Sequence, residues 1–245
     1  MNKPFITISV SIYNNIKGLE KTIPSILCQD YTNAEIILSD DGSTKYDTLE
    51  LNKYAEELKK VFADVRININ EQNVGTVKHL NKIISMSKGK YFLDISPGDA
   101  FADSHTVSDI VDTFERTGRL IVTSRRRDEY DDGHNKVRPR ATLGLKLKFF
   151  SKQLKSFMLR KRNVISGCGT YYSRELFEKY GTFDEQYRLV EDYPYYVMLL
   201  DRKVRFAWLG KVTVSHEMGG VSNGDVHPQV IKDIELLKKN YDIDL

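Results

Sequence analysis

The sequence predicts an α/β fold, a mostly parallel sheet flanked by helices. Three observations carry that prediction. Apolar runs with strand spacing alternate with runs of helical spacing from Phe5 to Ile95, which is the pattern of a parallel sheet wrapped by helices. The first, second and fourth strand-like runs end in polar turns, at Tyr13-Asn14-Asn15, Asp40-Asp41-Gly42 and Ser96-Pro97-Gly98-Asp99. Right-handed crossovers bring such turns to one rim, at the carboxyl ends of the strands, where open α/β sheets bind ligands.

Ile6, Ile8, Val10 and Ile12 alternate with Thr7, Ser9 and Ser11, a strand. Ile16 to Leu27 reads as a helix with Leu19, Ile23, Ile26 and Leu27 on one face. Pro24 lies inside it, which predicts a kink or a late start. Glu35 to Ser39 is the second strand and runs into Asp40-Asp41-Gly42-Ser43-Thr44. Thr48 to Phe62 keeps the helical period through Leu51, Tyr54, Leu58 and Val61. Val65 to Ile69 is a strand, and the segment after Asn73-Val74-Gly75 is a helix through Ser87. Gly89 ends that helix, and Tyr91 to Ile95 is a short buried strand stopped by Ser96-Pro97-Gly98.

The second half is less regular. Ser104 to Thr117 is helical, capped by Asp103 or Ser104. Leu120 to Ser124 is a strand, after which Arg125-Arg126-Arg127 lead into an acidic turn from Asp128 to Gly133. Leu143 to Arg162 reads as one basic amphipathic helix, with Leu147, Phe150, Leu154 and Phe157 on one side and Lys148, Lys152 and Lys155 on another. Such a face suits an anionic bilayer surface. It equally suits a helix that packs its apolar side on the core.

Composition narrows the classes. Hydrophobic residues make up 40% of the 245-residue chain, enough for a sizeable core. No apolar run approaches the ~18 residues of a membrane span. No basic stretch followed by an apolar leader opens the sequence, which predicts a cytoplasmic protein. Cys28 and Cys168 form no metal-ligand pattern and read as buried thiols. A net charge of +3 does not mark a nucleic-acid binder. The charge is uneven, however: from Gly133 to Ser173 there is no Asp or Glu while Lys and Arg recur. No Gly-x-Gly-x-x-Gly follows the first strand and no Gly-x-x-x-x-Gly-Lys-Ser/Thr occurs, which argues against dinucleotide and P-loop sites.

Asp99 stands at a strand's carboxyl end on a stiff turn, well placed to hold a divalent ion on a nucleotide diphosphate. Read by itself, it is equally well a turn carboxylate that caps the next helix. Asp94, two residues before Ser96, reads as a buried, paired side chain. His216 follows the strand-like Val212-Thr213-Val214 and by itself reads as structural.

These motifs together resemble the family 2 glycosyltransferases of the GT-A fold, in a bacterial surface-polysaccharide style. The resemblance rests on Ser9-Val10-Ser11-Ile12-Tyr13-Asn14, on Thr22 to Tyr31, on Glu35 to Thr44, and on Asn73-Val74-Gly75 with Asn81. It covers roughly the whole chain. It implies a nucleotide-sugar half at residues 1–102 and an acceptor-binding, catalytic-base half of the same domain at 103–245. It implies that Tyr13 flanks the base, that Asp40 accepts a hydrogen bond from a uracil N–H, and that Asp41 and Ser43 shape that pocket. Asn73, Gly75, Gly98 and Asp99 complete the nucleotide-binding set. The family's Asp-x-Asp metal motif is reduced here to Ser96-Pro97-Gly98-Asp99, so a single carboxylate remains for Mn²⁺ or Mg²⁺. His216 is the second implied metal or phosphate contact, and the segment from Glu217 to Ser222 would close over the diphosphate.

The resemblance also assigns Val190-Glu191-Asp192-Tyr193-Pro194 to a helix start carrying the general base. Asp192 would deprotonate the acceptor and Glu191 would orient it or bind the acceptor. Simple helix capping by Asp192 is the plain alternative. The implied activity is inverting transfer from a UDP-sugar to a saccharide acceptor, lipid-linked, with peripheral membrane contact through 143–162 and Arg125 to Arg127 beside the acceptor. The rival reading is a non-catalytic nucleotide-sugar or partner binder.

Overall fold

The computed structural model describes residues 3–44, 48–130, 132–218 and 227–243. Strands β1 (Ile6–Ile12), β2 (Ala34–Asp40), β3 (Asp64–Ile69) and β4 (Tyr91–Ile95) alternate with helices α1 (Leu19–Leu27), α2 (Thr48–Leu58) and α3 (Thr76–Met86). There follow β5 (Ala100–Phe101), α4 (Thr106–Thr117), β6 (Ile121–Glu129), β7 (Asn135–Arg138), α5 (Leu143–Phe149) and α6 (Ser151–Arg160). The chain ends with β8 (Thr170–Ser173), α7 (Arg174–Tyr180), α8 (Asp192–Asp201), β9 (Ala207–Glu217) and α9 (Pro228–Asn240).

The sheet runs β3-β2-β1-β4-β8-β6-β9-β5, with β7 paired to β6. Strands β3, β2, β1 and β4 are parallel, β8 is antiparallel to both β4 and β6, and β9 runs parallel to β6. The alternation of side chains along each strand separates two cores. Ile36 and Leu38 point to the face covered by α1, α2 and α4, while Ile37 points to the face covered by α3 and by helices of the second half. β1 and β2 are buried along almost their whole length, as central parallel strands covered on both faces must be.

Helix α1 starts late, at Leu19, as Pro24 predicts, and Pro24 sits inside it on the exposed side. Other sequence expectations need correction. The three arginines Arg125 to Arg127 lie on β6, which continues to Glu129 because β7 and β9 pair with it along that length. Two of them are committed internally: Arg126 Nε lies 2.7 Å from Asp128 Oδ1, and Arg125 Nε donates to Pro139 O at 3.2 Å. β9 is eleven residues long rather than a short run at 212–214.

The basic helix is two helices, broken at Phe150 (φ −130°, ψ 36°). No glycine or proline marks the break. The two pieces dock on different surfaces: Gly144 of α5 lies against Trp208 of β9, whereas the backbone of α6 accepts a hydrogen bond from Tyr193 of α8 at Met158 O. Leu143, Leu147, Leu154 and Met158 are buried, but Phe150 and Phe157, expected on the packed side, are exposed. Cys28 is exposed at the end of α1 and Cys168 is partly buried, so the thiols are not both core residues. Among the described residues no helix is long and apolar enough to cross a membrane.

Candidate active site

The turn between β4 and β5 is pinned to the start of α1. Gly98, at φ +97°, donates its N–H to Gly18 O at 3.0 Å and to Thr22 Oγ1 at 3.1 Å. Thr22 Oγ1 in turn donates to Asp99 O at 2.7 Å. A Cβ on Gly18 would lie 2.5 Å from Gly98 N, so only glycine permits this approach. The chain then leaves the sheet centre and crosses to its far edge, where Ala100 pairs with Ser215 and Phe101 with Val214. That antiparallel register, extended by one residue, sets Asp99 against His216.

His216 Nδ1 lies 2.8 Å from Asp99 Oδ1, which also accepts the N–H of Glu217 at 3.2 Å. Asp99 is only 3% exposed, and its Oδ2 is buried with no hydrogen-bond partner. A buried carboxylate oxygen left unpaired is costly unless a ligand satisfies it. Donor atoms of Asp99, Cys168 and His216 all lie within 4.8 Å of one another. This group fits a divalent cation. The segment 219–222, expected to close over a diphosphate, lies outside the described residues.

Asp192 opens α8. Its Oδ2 accepts from Asn163 Nδ2 at 2.9 Å and its Oδ1 accepts the Tyr193 N–H at 2.6 Å. A Cβ on Gly167 would come within 2.8 Å of Asp192 Oδ2. Burial pushes Asp192 above the usual carboxylate range, partly offset by those two hydrogen bonds and by the Arg126 charge. Glu191 is pushed up by burial and then by the negative charge of Asp192. Asp94 accepts from Ser9 Oγ at 2.5 Å and Ser11 Oγ at 2.8 Å, and burial still lifts it to about 7. Asp94 also feels Asp99, and Glu191 feels Asp94. The acids at the two ends of the cleft therefore form one electrostatic group.

The loop that leads into Glu191 is clamped from α9. Asp233 Oδ2 accepts the backbone N–H groups of Arg188, Leu189 and Val190 at 3.0, 2.7 and 3.0 Å. Nothing in the sequence distinguishes this buried acid from the other charges of its helix, and Asn163 carries equally little signal.

At the nucleotide end, Tyr13 is 49% exposed beyond β1. Asp40 Oδ2 accepts the Ser43 N–H at 2.9 Å, and Oδ1 accepts the Ser43 hydroxyl. Ser43 Oγ also accepts the Asn14 N–H at 2.7 Å, which ties the first two turns together. Asp41 is saturated. Its Oδ1 takes Asn70 Nδ2 at 2.8 Å and Val74 N at 3.1 Å, and its Oδ2 takes Asn73 Nδ2 at 2.8 Å and Gly75 N at 3.0 Å. Asn73 Oδ1 accepts from Arg188 Nη2 at 3.1 Å, and Gly75 (φ +91°) leaves room for Arg188. Asp41, Asn73 and Gly75 thus form a knot of hydrogen bonds beside the second turn, while Tyr13 stays half exposed. Behind the knot, burial lowers the pKa of His79, whose Nε2 lies 2.7 Å from Ser39 Oγ.

A sequence profile described as glycosyl transferase family 2 matches residues 7–181. EpsJ of Bacillus subtilis, an uncharacterized glycosyltransferase, is 30% identical over 198 residues, covering 78% of this chain and 55% of EpsJ. An uncharacterized glycosyltransferase of Haemophilus influenzae is 31% identical over 121 residues, covering 49% of this chain and 36% of the relative. The chain thus spans only part of the length of these curated relatives. Among solved structures, S. aureus TarS 1-349 in complex with UDP has a TM-score of 0.70 at 18% identity, covering 99% of this chain and 67% of that one. The Pyrobaculum calidifontis mannosyltransferase PcManGT, in complex with GDP-Man and Mn²⁺, has a TM-score of 0.69 at 14% identity, covering 100% of this chain and 66% of that one. At these identities the likeness establishes the fold, the GT-A arrangement of a sheet flanked by helices.

Proposed function

Because this chain belongs to glycosyl transferase family 2, we propose that it is an inverting glycosyltransferase that moves a sugar from a nucleotide-diphosphate donor, a UDP-sugar, to a saccharide acceptor. Residues 1–102 supply the donor half and 103–245 the acceptor half. The observation that carries the reading is a pair of acids: Asp99, with a buried oxygen in need of a cation, and Asp192, which burial has made a stronger base than an ordinary carboxylate. UDP in one fold neighbour and Mn²⁺ in another support the choice of ligands.

In this reading Tyr13 stacks on the base and Asp40 uses its remaining lone pairs to accept the base N–H. A divalent ion held by Asp99 and His216 would supply positive charge for the departing diphosphate. Asp192 takes the proton of the acceptor hydroxyl. The acceptor oxygen bonds to the anomeric carbon from the far side while the bond from that carbon to the phosphate oxygen breaks, its electron pair leaving with the nucleoside diphosphate. Asn163 and Gly167 hold the base in position, and Glu191 orients that base or binds the acceptor.

The acceptor is lipid-linked in this reading, as expected in surface-polysaccharide synthesis. The exposed Leu145, Phe149, Phe150 and Phe157 of α5 and α6, interleaved with Lys146, Lys148 and Lys152, supply a peripheral contact with an anionic bilayer. A direct test measures UDP release from UDP-sugars with added Mn²⁺. Asp192→Asn is expected to abolish transfer while UDP still raises the melting temperature. Undiminished transfer by that variant would remove Asp192 as the base. UDP binding without turnover of any donor by the unmodified protein would leave the non-catalytic reading.

A further inference from the structure

We propose that Cys168 is a metal ligand, completing with Asp99 and His216 an oxygen–sulfur–nitrogen centre that selects a thiophilic divalent ion, Zn²⁺, over Mg²⁺. The proposal rests on the reading of Asp99 as the cation-binding carboxylate and adds the sulfur and the ion preference that follows from it.

The geometry begins with the backbone. β8 lies between β4 and β6, so the turn that precedes it opens onto the same rim as the β4–β5 turn. Gly169 O accepts the Ser124 N–H at 2.8 Å and Gly167 O accepts the Thr170 N–H at 3.0 Å, which fixes the turn on either side of Cys168. Two polar groups stand beside the buried sulfur: Ser166 Oγ lies 3.5 Å from it and Arg126 Nη1 lies 3.9 Å from it. It shares a 4.8 Å radius of mutual approach with the donor atoms of Asp99 and His216. Tetrahedral zinc sets its ligand atoms roughly 3.5 Å apart, so the side chains would draw together by somewhat more than about 1 Å to hold an ion.

The second observation is Asp99 itself. Its Oδ2 is buried and unpartnered although the opposite oxygen holds two donors. A buried acceptor of this kind, beside an imidazole and a thiol, marks a site for a cation. With a second carboxylate at position 97, oxygen donors would favour Mg²⁺ or Mn²⁺; Pro97 offers none, and the nearby soft donor is sulfur. Thiolate and imidazole rank Zn²⁺ above Mn²⁺ and leave Mg²⁺ weakest. Three protein ligands also leave one tetrahedral position open, the arrangement of sites that take a substrate oxygen.

The test uses the full chain, stripped with a chelator and then titrated with Co²⁺ alone and Zn²⁺ alone. The unmodified protein is expected to show a near-ultraviolet thiolate-to-cobalt charge-transfer band, and Zn²⁺ is expected to displace Co²⁺ while Mg²⁺ fails to. Cys168→Ser is expected to lose that band and to weaken Zn²⁺ binding by roughly a hundredfold, with Mn²⁺ binding changed far less. A cobalt spectrum without the thiolate band, or an unchanged Zn²⁺-to-Mn²⁺ ratio in Cys168→Ser, overturns the proposal. The underlying reading is tested separately by Asp99→Asn, which should abolish binding of Zn²⁺ and Mn²⁺ alike. If that variant binds both ions as the unmodified protein does, Asp99 is not the cation carboxylate. The cobalt spectrum of the unmodified protein needs no variant and is independent of folding defects.

Discussion

Gly167 stands where it does because Asp192 fills the space a side chain would need: a Cβ at residue 167 would lie 2.8 Å from Asp192 Oδ2. The backbone there is not in the left-handed region, so alanine brings no conformational strain of its own. Gly167→Ala is therefore expected to fold and to bind UDP, while displacing the carboxylate. A displacement near 1 Å costs about a hundredfold in turnover. Steady-state kinetics with the KM for donor unchanged would bear this out; full turnover would show that Asp192 need not sit where it does.

With Asp192 as the proposed base, the pH dependence of transfer follows from its raised pKa. Burial lifts Asp192 to about 6, so the active, deprotonated form is lost as pH falls through that value. The acid limb of kcat/KM is expected near there, well above the range of about 4 of a free carboxylate. Asn163→Ala removes a hydrogen bond that favours the charged form, and should move the limb upward. A limb that does not move assigns it to another group.

Asp94 has the opposite bearing on stability. Its folded-state value, about 7, exceeds the unfolded one, so the folded protein holds that proton more tightly. Stability from this group is greatest below the ordinary carboxylate range and is lost as pH rises through about 7. Asp94→Asn removes the titration and can keep contacts to Ser9 and Ser11. It should melt above the unmodified protein at about pH 8, with the gap narrowing toward about pH 4. Melting curves across that range decide it, and a gap that widens on acidification would refute the account.

Asp233 holds the loop that leads into Glu191 and Asp192. Asp233→Ala strips an acceptor from the N–H groups of Arg188, Leu189 and Val190, at a cost of roughly 2–4 kcal/mol in unfolding free energy. The same change should lower kcat more than it raises the KM for donor, because Asp192 loses its support. Rescue of kcat by Asp233→Glu but not by Asp233→Leu would distinguish positioning from simple loss of bulk.

The bilayer contact is tested by sedimentation with vesicles. Phe149 and Phe150 are 62% and 51% exposed, so Phe149→Ser with Phe150→Ser should leave the melting temperature unchanged. Binding to anionic phosphatidylserine vesicles is expected to fall about tenfold, with little binding to neutral vesicles in either case. Equal binding by both proteins would return these helices to a purely structural role.

The first four strands could be read from the sequence because each is a short apolar run closed by a polar turn, and local chemistry decides such elements. The reading failed where partners decide. Arg125 to Arg127 look like surface charge, yet they lie in a strand because β7 and β9 pair alongside. Phe150 carries no helix-breaking chemistry, and the corner there follows from two separate docking surfaces. Asp99 could be singled out by its place on a turn after a strand, and Asp192 and His216 only through the family resemblance. Cys168 could not, since its nearness to Asp99 arises only from β8 entering the sheet between β4 and β6. Asp41, Asn73 and Gly75, expected at the nucleotide, are also joined to one another by hydrogen bonds that the sequence does not announce.

The register between β5 and β9 has a bearing on how the protein matures. His216 meets Asp99 across a separation of 117 residues. Pairing across so long a stretch of chain is slow to form, because closing a long loop costs entropy before any contact repays it. An emerging polypeptide that has exposed only its first hundred residues can tie the Asp41 knot but has nothing to set beside Asp99. In the proposed reading, ion capture then belongs to the last stage of assembly, and activity waits until the far edge has closed.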